Sequence, residues 1–370
     1  MPKKIAFIKV RSFSFINPKL IEQMERTFGE YEIEVFDLKD WLVAHKPLLV
    51  MAYLAAWKEY GREIITRKKK ATECLFTTEF MFAKIRQAIA ARITPAEYAF
   101  TFQTQSLFDA SVSDLPHFMY TDYTVRAFLN ETGSTAPYQL FSPAWLRHEP
   151  AIYRHPTKIF AASNAARDSM IADYGCDPDQ VTTVYTGVNV AVEPPADKTY
   201  DEPQIVFVGV EWERKGGPDV IAAFRKVLDV CPTAKLTIVG CSPQVDLPNV
   251  TVVGRVPKEQ VSQYLRAATI FCMPSRIEPA GIAFTEAAMY KLPIVSARAG
   301  GIPDRVIHGE TGYLVEVGDR DMLATYLIEL VQNPDLCRQF GEAGAELARS
   351  FTWEHVGTVI HKEIMPHLNA

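Results

Sequence analysis

The stretch that decides the fold is residues 274–286, Pro-Ser-Arg-Ile-Glu-Pro-Ala-Gly-Ile-Ala-Phe-Thr-Glu, which carries the two carboxylates Glu278 and Glu286. The apolar run 269–273 before it predicts a buried strand, and the residues after Gly281 favour a helix. Strand, loop and helix in this order form the unit at which open α/β sheets bind ligands, outside the carboxyl ends of their strands. The stretch therefore predicts an α/β fold with a ligand site around the two glutamates.

The predicted helix begins at Gly281, Ile282 and Ala283, where free backbone N–H groups and the positive end of the helix dipole suit a phosphate. Helical side chains lean toward the N-terminus of their helix, so Glu286 points back to the same place. A carboxylate there accepts hydrogen bonds from ribose hydroxyls, while Glu278 stands ahead of the helix, where a transferred sugar would lie. The stretch thus suits a sugar nucleotide, and an ordinary loop with two solvated glutamates is the alternative.

A second motif, residues 299–315, Ala-Gly-Gly-Ile-Pro-Asp-Arg-Val-Ile-His-Gly-Glu-Thr-Gly-Tyr-Leu-Val, follows the glutamate pair. In this order the elements resemble the C-terminal half of the retaining GT-B glycosyltransferases of the family 4 type (glycosyl transferases group 1), from about Thr186 onward. The resemblance implies a GT-B fold of two Rossmann-like, doubly wound α/β domains that face a central cleft. It also implies transfer of a hexose from a UDP- or GDP-sugar to a hydroxyl acceptor, with retention of anomeric configuration and without a metal or other cofactor.

Length and composition agree with a two-domain globular enzyme. The chain has 370 residues, of which 48% are hydrophobic and 22% charged, values typical of a soluble globular protein. A formal net charge of −5 argues against a nucleic-acid partner. The six cysteines are scattered and the N-terminus predicts a first strand rather than a signal peptide, so we expect a cytoplasmic protein with free thiols.

Strand-like and helix-like segments alternate through the chain, and the polar segment 193–203 with its prolines predicts the linker between two domains. We expect an N-terminal Rossmann-like, acceptor-side domain over residues 1–195 and a nucleotide-sugar-binding domain over 204–350. The amphipathic tail 351–370 is expected to form a helix that, by resemblance, crosses back to the first domain. Predicted strands in the first half are Lys4–Val10, Glu32–Phe36, Tyr98–Gln103, Phe118–Thr121 and Ile159–Ala162.

A basic loop follows the first predicted strand of the second domain. Gly209 ends that strand and lets the chain approach a ligand closely, and Arg214 and Lys215 bring positive charge that suits a diphosphate. A solvated basic turn is the alternative. The Lys-Gly pair of the resembled family falls on Lys215, but the arginine that usually follows the first glycine is replaced by Val210, and Arg214 is the candidate substitute.

Two further turns in the second half match the resembled family. Arg255 and Val256 lie in the turn that, by resemblance, meets the nucleobase through its backbone, whereas a plain turn with an exposed arginine is the alternative. Gly300 and Gly301 follow a predicted strand and either line the sugar site or form a tight turn.

The first domain carries fewer signals. Asp122 follows a predicted strand and, by resemblance, is a catalytic residue near the donor sugar and acceptor; a helix cap or Asx turn is the alternative. The glycine-rich loop of many relatives is missing after the first strand. Arg11 or Ser12 stands there and could meet the acceptor or a phosphate, and anchoring of the loop by the neighbouring aromatic residues is the alternative. Residues 186–189 resemble a hinge segment of the family.

A basic run, residues 62–70, precedes the apolar and basic stretch 80–89. Together they suggest a peripheral contact with anionic lipid at the inner face of a membrane, or a solvated face with no partner. The function most consistent with all motifs is hexosyl transfer from a nucleotide sugar to a sugar, lipid-linked glycan or small-molecule hydroxyl. The alternatives are a catalytically idle nucleotide-sugar binder and another GT-B enzyme, such as an epimerase or a phosphorylase.

Overall fold

A computed structural model describes residues 3–10, 15–130, 141–189, 195 and 198–368. The chain divides into two compact units. The first unit comprises Met1–Tyr185 together with Trp353–Ala370, and the second unit comprises Thr186–Thr352. The predicted loop residues Arg11 and Ser12 lie outside the described part of the chain.

Strands alternate with helices through much of the sequence. The strands are β1 (Lys4–Lys9), β2 (Glu32–Asp37), β3 (Tyr98–Thr104), β4 (His117–Thr121), β5 (Lys158–Ala161), β6 (Val181–Thr183), β7 (Gln204–Val208), β8 (Lys235–Val239), β9 (Val250–Gly254), β10 (Ile270–Cys272), β11 (Ile294–Ala297) and β12 (Gly312–Val315). The helices are α1 (Ile16–Thr27), α2 (Leu38–Ala44), α3 (Lys46–Ile65), α4 (Ala71–Cys74), α5 (Glu79–Arg92), α6 (Val125–Asn130), α7 (Pro143–Leu146), α8 (Pro150–Arg154), α9 (Asn164–Tyr174), α10 (Gly217–Val230), α11 (Lys258–Ala267), α12 (Ile282–Met289), α13 (Arg320–Gln332), α14 (Pro334–Ala348) and α15 (Trp353–Ile364). Runs of helices lie between β2 and β3 and after β12.

The first unit is built on a parallel sheet with strand order β2-β1-β3-β4-β5-β6. Its inner strands β1, β3, β4 and β5 are mostly buried and are rich in apolar residues, whereas the edge strand β2 alternates charged and apolar residues and is partly exposed. Aromatic rings form part of this core: Phe7 of β1 stacks on Phe102 of β3 at 5.6 Å between ring centroids, and Phe102 stacks on Phe160 of β5 at 6.2 Å. Helix α15 returns to this unit and packs against α1.

The second unit is a second parallel sheet, in the order β12-β11-β10-β7-β8-β9. Counted within the unit, this is the Rossmann order 3-2-1-4-5-6 read from the other edge. Two Rossmann-like α/β domains are therefore present, and the predicted fold class is confirmed.

Local sequence signals set several element ends. The side chain of Ser163 accepts a hydrogen bond from the backbone N–H of Ala166 at 3.2 Å and so caps α9. Helix α9 ends at Gly175, which adopts a left-handed φ of 69°.

The chain passes into the second unit between Tyr185 and Thr186, upstream of the linker predicted at 193–203. The physical reason is that residues 186–189 already contact the second unit, since Thr186 accepts a hydrogen bond from Arg305 at 3.0 Å. Of the predicted linker, residues 193, 194, 196 and 197 lie outside the described residues.

Gly300, in the loop after β11, lies against the backbone of Glu278. Its φ is +48°, and a Cβ at this position would lie 2.1 Å from the carbonyl oxygen of Glu278. Gly301 donates its backbone N–H to that same oxygen at 2.8 Å. The backbones of the loops after β10 and β11 are therefore in direct contact. This contact leaves no room for a side chain at residue 300.

We predict that Gly300→Ala destabilises the protein by about 2–5 kcal/mol, because left-handed strain adds to a backbone clash. Gly309→Ala is the matched control, since Gly309 also has a positive φ of +81° but no atom within 4 Å of the point where a Cβ would lie. That control should lose only about 1–2 kcal/mol. Denaturant unfolding followed by circular dichroism measures both losses, and equal losses would contradict the close packing.

Glu149 is a buried carboxyl group in the first unit. The hydroxyl of Tyr174 donates to its Oε1 at 2.6 Å. Burial raises the pKa of Glu149 to about 7 from an ordinary value of 4.5, although Tyr174 and Arg126 act in the opposite direction. Because the folded state binds this proton more tightly than the unfolded state, its contribution to stability is present below pH 4.5 and is lost as the pH rises through about 7.

We predict that Glu149→Gln gains stability over the native chain as the pH rises, because glutamine never ionises. The difference in free energy of unfolding between variant and native protein should grow by about 1–3 kcal/mol between about pH 5 and about pH 8. Urea unfolding at both pH values provides the measurement. The same substitution at exposed Glu25 serves as control, and a difference that does not change with pH would refute the assignment.

Candidate active site

The candidate site lies at the point where the strand order of the second unit reverses. Strands β7 and β10 are neighbours in the sheet although they lie far apart in sequence. In doubly wound sheets such a switch point opens a crevice at the carboxyl ends of the two strands. Gly209 follows β7 and residues 273–281 follow β10, so the topology brings the two predicted loops together.

The loop after β7 is packed tightly against the loop after β10. Lys215 lies over Gly209, where a Cβ would come within 3.0 Å of the lysine Cγ. Arg214 donates to the carbonyl oxygen of Ile277 at 2.8 Å and to the carboxylate of Glu211 at 2.7 Å. The guanidinium of Arg214 therefore braces the backbone directly before Glu278.

Lys215 and Glu278 form an ion pair through the lysine Nζ and the glutamate Oε2. Both side chains are largely buried, with 13% and 10% of their surface exposed. The hydroxyl of Ser275 donates to the same carboxylate oxygen at 3.3 Å. Burial alone would raise the pKa of Glu278, but the Lys215 ammonium outweighs it and holds that pKa below its ordinary value. Glu278 is therefore an ionised carboxylate with a fixed position.

Helix α12 begins immediately after this pair. Gly281 adopts a φ of 70° at its N-terminus, and its backbone N–H donates to the carboxylate of Glu278. Ile282 and Ala283 are half-buried, and N–H groups in the first turn of a helix have no acceptor within the helix. The amide of Gly281 is thus engaged by Glu278, while those of Ile282 and Ala283 face a site that suits an anion.

Glu286 lies one turn further along α12. One of its oxygens accepts from the backbone N–H of Asn189, and its Oε1 lies 3.9 Å from the Nζ of Lys258. Burial raises the pKa of Glu286, although Lys258 and Asn189 favour the ionised form. Its Oε1 is buried and makes no hydrogen bond to any residue that the structure describes. A buried acceptor without a donor is costly, so this oxygen is suited to a hydroxyl from a ligand.

The remaining predicted residues occupy less constrained positions. Arg255 is exposed, and Val256 packs partly against the core just after β9. Asp122 is half-buried and follows β4 of the first unit. The second-unit residues from Gly209 to Glu286 are thus gathered around β7, β9 and β10, whereas Asp122 belongs to the other unit.

Two basic residues near the site were missed by sequence reasoning. Lys258 begins α11 and faces Glu286. Arg305 is buried beside α12, where it donates to the carbonyl oxygen of Ala280 at 3.2 Å and lies 3.7 Å from the centre of the Phe351 ring. Arg305 lies within the motif 299–315, which could have marked it as a candidate site residue. Its burial is visible only in the folded structure.

Metal ligands do not form a cluster in the described part of the chain. No group of three or more His, Cys, Asp or Glu side chains there could hold a metal ion. All six cysteines are free, and five of them are buried.

Comparison with known proteins links the second unit to one family. Residues 193–347 match the glycosyl transferases group 1 family. An alpha-maltose-1-phosphate synthase from Mycolicibacterium smegmatis is 30% identical over 237 residues, which cover 54% of this chain and 60% of that protein. A D-inositol 3-phosphate glycosyltransferase from Corynebacterium efficiens is 28% identical over 219 residues, which cover 51% of each. The chain therefore spans about half to three-fifths of the length of these curated relatives.

Solved structures resemble the whole chain. Sucrose-phosphate synthase from Thermosynechococcus elongatus superposes with a TM-score of 0.65 at 22% identity, and 80% of each chain is covered. Anabaena HepE, solved in complex with UDP, gives a TM-score of 0.67 at 15% identity over 98% of this chain and 100% of that one. Likeness at such identities establishes the fold. The chain thus has the GT-B fold, and its residues 193–347, within the second unit, match the glycosyl transferases group 1 family.

Proposed function

We propose that this protein transfers a hexose from a nucleotide diphosphate sugar to a hydroxyl acceptor, with retention of anomeric configuration. The observation that carries the proposal is the fixed carboxylate of Glu278 beside the N-terminus of α12. A hydrogen-bond acceptor for sugar hydroxyls would then lie next to donors for a diphosphate. The family match of residues 193–347 supports the same reaction class.

The donor nucleotide would bind along α12. The amides of Ile282 and Ala283 and the ammonium of Lys215 would receive the diphosphate, with Arg214 as a further cation. Glu286 would accept a hydrogen bond from a ribose hydroxyl, because its buried Oε1 has no donor among the described residues. The backbone around Arg255 and Val256, just after β9, would meet the base.

The chemistry needs stabilisation of the leaving group more than a strong base. A departing nucleoside diphosphate gains negative charge, which preorganised amides and cations stabilise. The ammonium of Lys215 would neutralise the carboxylate of Glu278 before the donor binds, and the diphosphate afterwards. Glu278 would orient the sugar hydroxyls and favour positive charge at the anomeric carbon. Retention would follow from attack on the face that the leaving group vacates, with the diphosphate accepting the proton of the acceptor.

The finer features of the reaction belong to the same proposal. We infer a metal-independent transfer, because Lys215, Arg214 and the amides supply the positive charge. Asp122 would act on the acceptor side, where a carboxylate can accept a hydrogen bond from a hydroxyl group. Solved HepE structures contain UDP and UDP-glucose, which favours a uridine donor over a guanosine one. We propose a cytoplasmic location and no nucleic-acid partner.

A nucleotide-sugar binder without turnover is the second candidate. It is favoured by Arg214, whose guanidinium is already bonded to Ile277 and Glu211, and by Val210, which stands exposed where the resembled family has arginine. An epimerase or phosphorylase is the remaining alternative.

We predict that Glu278→Gln lowers kcat for donor turnover roughly 100-fold or more, since it removes a charge used in the transition state. Nucleotide affinity should stay unchanged or rise, because Lys215 is released for the diphosphate. Turnover of UDP- and GDP-sugars and calorimetric binding of UDP and GDP measure the two effects. Glu213→Gln, an exposed residue of the same loop, is the matched control. Native-like turnover in Glu278→Gln would contradict the proposed role of Glu278 in catalysis. Absence of turnover in the native chain would favour a nucleotide-sugar binder without activity.

We predict that one of UDP, GDP and ADP raises the melting temperature selectively, because ligands that bind only the folded state stabilise it. Glu286→Gln should weaken that nucleotide about 10- to 100-fold, the effect of a charge-assisted hydrogen bond. Pyrophosphate lacks a ribose, so its weaker effect should be the same in both proteins. If Glu286→Gln weakened nucleotide and pyrophosphate binding equally, Glu286 would stabilise the site as a whole and would not contact the ribose.

A further inference from the structure

Helix α3 of the first unit carries a row of apolar side chains on its outer surface. Val50, Met51, Leu54 and Trp57 are 59%, 49%, 59% and 49% exposed. Their spacing of three and four residues places them on one face of the helix. Large exposed apolar groups in a continuous row mark an interaction site, whereas single ones are common on any surface.

The inner face of α3 is already packed. Ala52, Ala56 and Tyr60 are buried, and the Tyr60 hydroxyl donates to the carbonyl oxygen of Thr77 at 2.7 Å. The helix contacts α2, α4 and α5 of the same unit through this side. The outer row therefore adds nothing to the core of the first unit.

The surface around the row is basic. Among the exposed residues from Val43 to Lys70 none is an aspartate or glutamate, and the exposed acids Asp40 and Glu73 lie just outside this range. The two acids of α3, Glu59 and Glu63, are half-buried, and Glu59 accepts the backbone N–H of Glu79 at 3.0 Å. The exposed basic side chains are Lys46, Lys58, Arg62, Arg67, Lys68 and Lys70. This patch is positive in a chain whose formal net charge is −5.

An apolar cavity of about 510 Å³ opens beside the row. It is lined by side chains of α2, α3 and the segment around α4, including Leu42, Val43, Leu49, Tyr53 and Leu75. The apolar surface of this side thus extends past the helix itself. No helix of the described residues is long and apolar enough to cross a bilayer.

We propose that the outer face of α3 rests on the surface of an anionic lipid bilayer, parallel to the membrane plane. Apolar side chains with Trp57 among them would enter the region between head groups and acyl chains, while the surrounding cations would meet the anionic lipids. Helix α3 has a kink at Tyr60, where φ is −124° and ψ is 17°. The apolar row lies in the part before the kink, residues 46–59, which is about 20 Å long.

The proposed membrane contact lies on a different helix from the one that the sequence suggests. The basic run 62–70 does flank the patch, but the apolar stretch 80–89 belongs to α5, whose Met81, Ile85 and Ile89 are fully buried. The apolar contact comes from α3 instead. The proposal does not depend on the proposed enzymatic reaction, because it concerns another face and another element.

Co-sedimentation of the full chain with vesicles tests the proposal. We expect binding to vesicles of phosphatidylcholine mixed with phosphatidylglycerol, and little binding to phosphatidylcholine alone. Lys58→Gln with Arg62→Gln should weaken binding roughly fivefold for each charge removed. Leu54→Gln with Trp57→Gln should weaken it as strongly or more, and glutamine keeps a good helix propensity at both exposed positions.

Matched controls come from the second unit. Met322→Gln replaces an exposed apolar residue, and Arg225→Gln with Lys226→Gln removes two exposed charges on α10. Neither should change vesicle binding, and thermal unfolding should show that every variant is folded. Absence of vesicle binding by the native chain, or undiminished binding by Leu54→Gln with Trp57→Gln, overturns the proposal. Self-association without vesicles that this double variant abolishes would also overturn it, and would assign the face to a second copy of the chain.

Discussion

Two opposite charges, Lys215 and Glu278, meet where strands β7 and β10 lie side by side, and neither would be stable there alone. Removing an isolated charge from water costs several kcal/mol, so the partners must reach each other at close range. Small residues make this approach feasible: Gly209 lies beneath Lys215, and a Cβ on Gly216 would lie 2.1 Å from the carbonyl oxygen of Pro274. The ion pair thereby fixes both loops, and with them the start of α12, before any ligand binds.

This arrangement has a cost for an anionic ligand. Lys215 is paired with Glu278, and Arg214 is bonded to Glu211 and to the backbone at Ile277. Under the proposed function, a diphosphate would have to compete with carboxylates and a carbonyl group for its cations. Ligand binding would then be coupled to the charge balance of the loops, and Glu278 would orient a sugar as Lys215 shifts toward the phosphate.

Local patterns were sufficient for most strands and for the placement of Glu278 and Glu286, because strand, loop and helix follow directly in sequence. The ion pair was not predicted, because its members are 63 residues apart. Their contact depends on β7 and β10 being neighbours in the sheet, which the sequence pattern does not reveal. Helix α3 was also missed as a surface, because it is apolar on both faces. The buried face of α3 is the one that packs against α2, α4 and α5. The sequence pattern of α3 alone does not predict which of its two apolar faces that is.

Arg305 touches both ends of the second unit. Its guanidinium donates to Thr186, the first residue of that unit, and lies on the ring of Phe351, the last but one. The second unit is therefore an insertion whose entry and exit are fastened to a single side chain. Segments with adjacent ends can be exchanged between proteins with little disturbance of the host. Arg305 thus marks the place where the second unit as a whole could be replaced by a related one during evolution or by design.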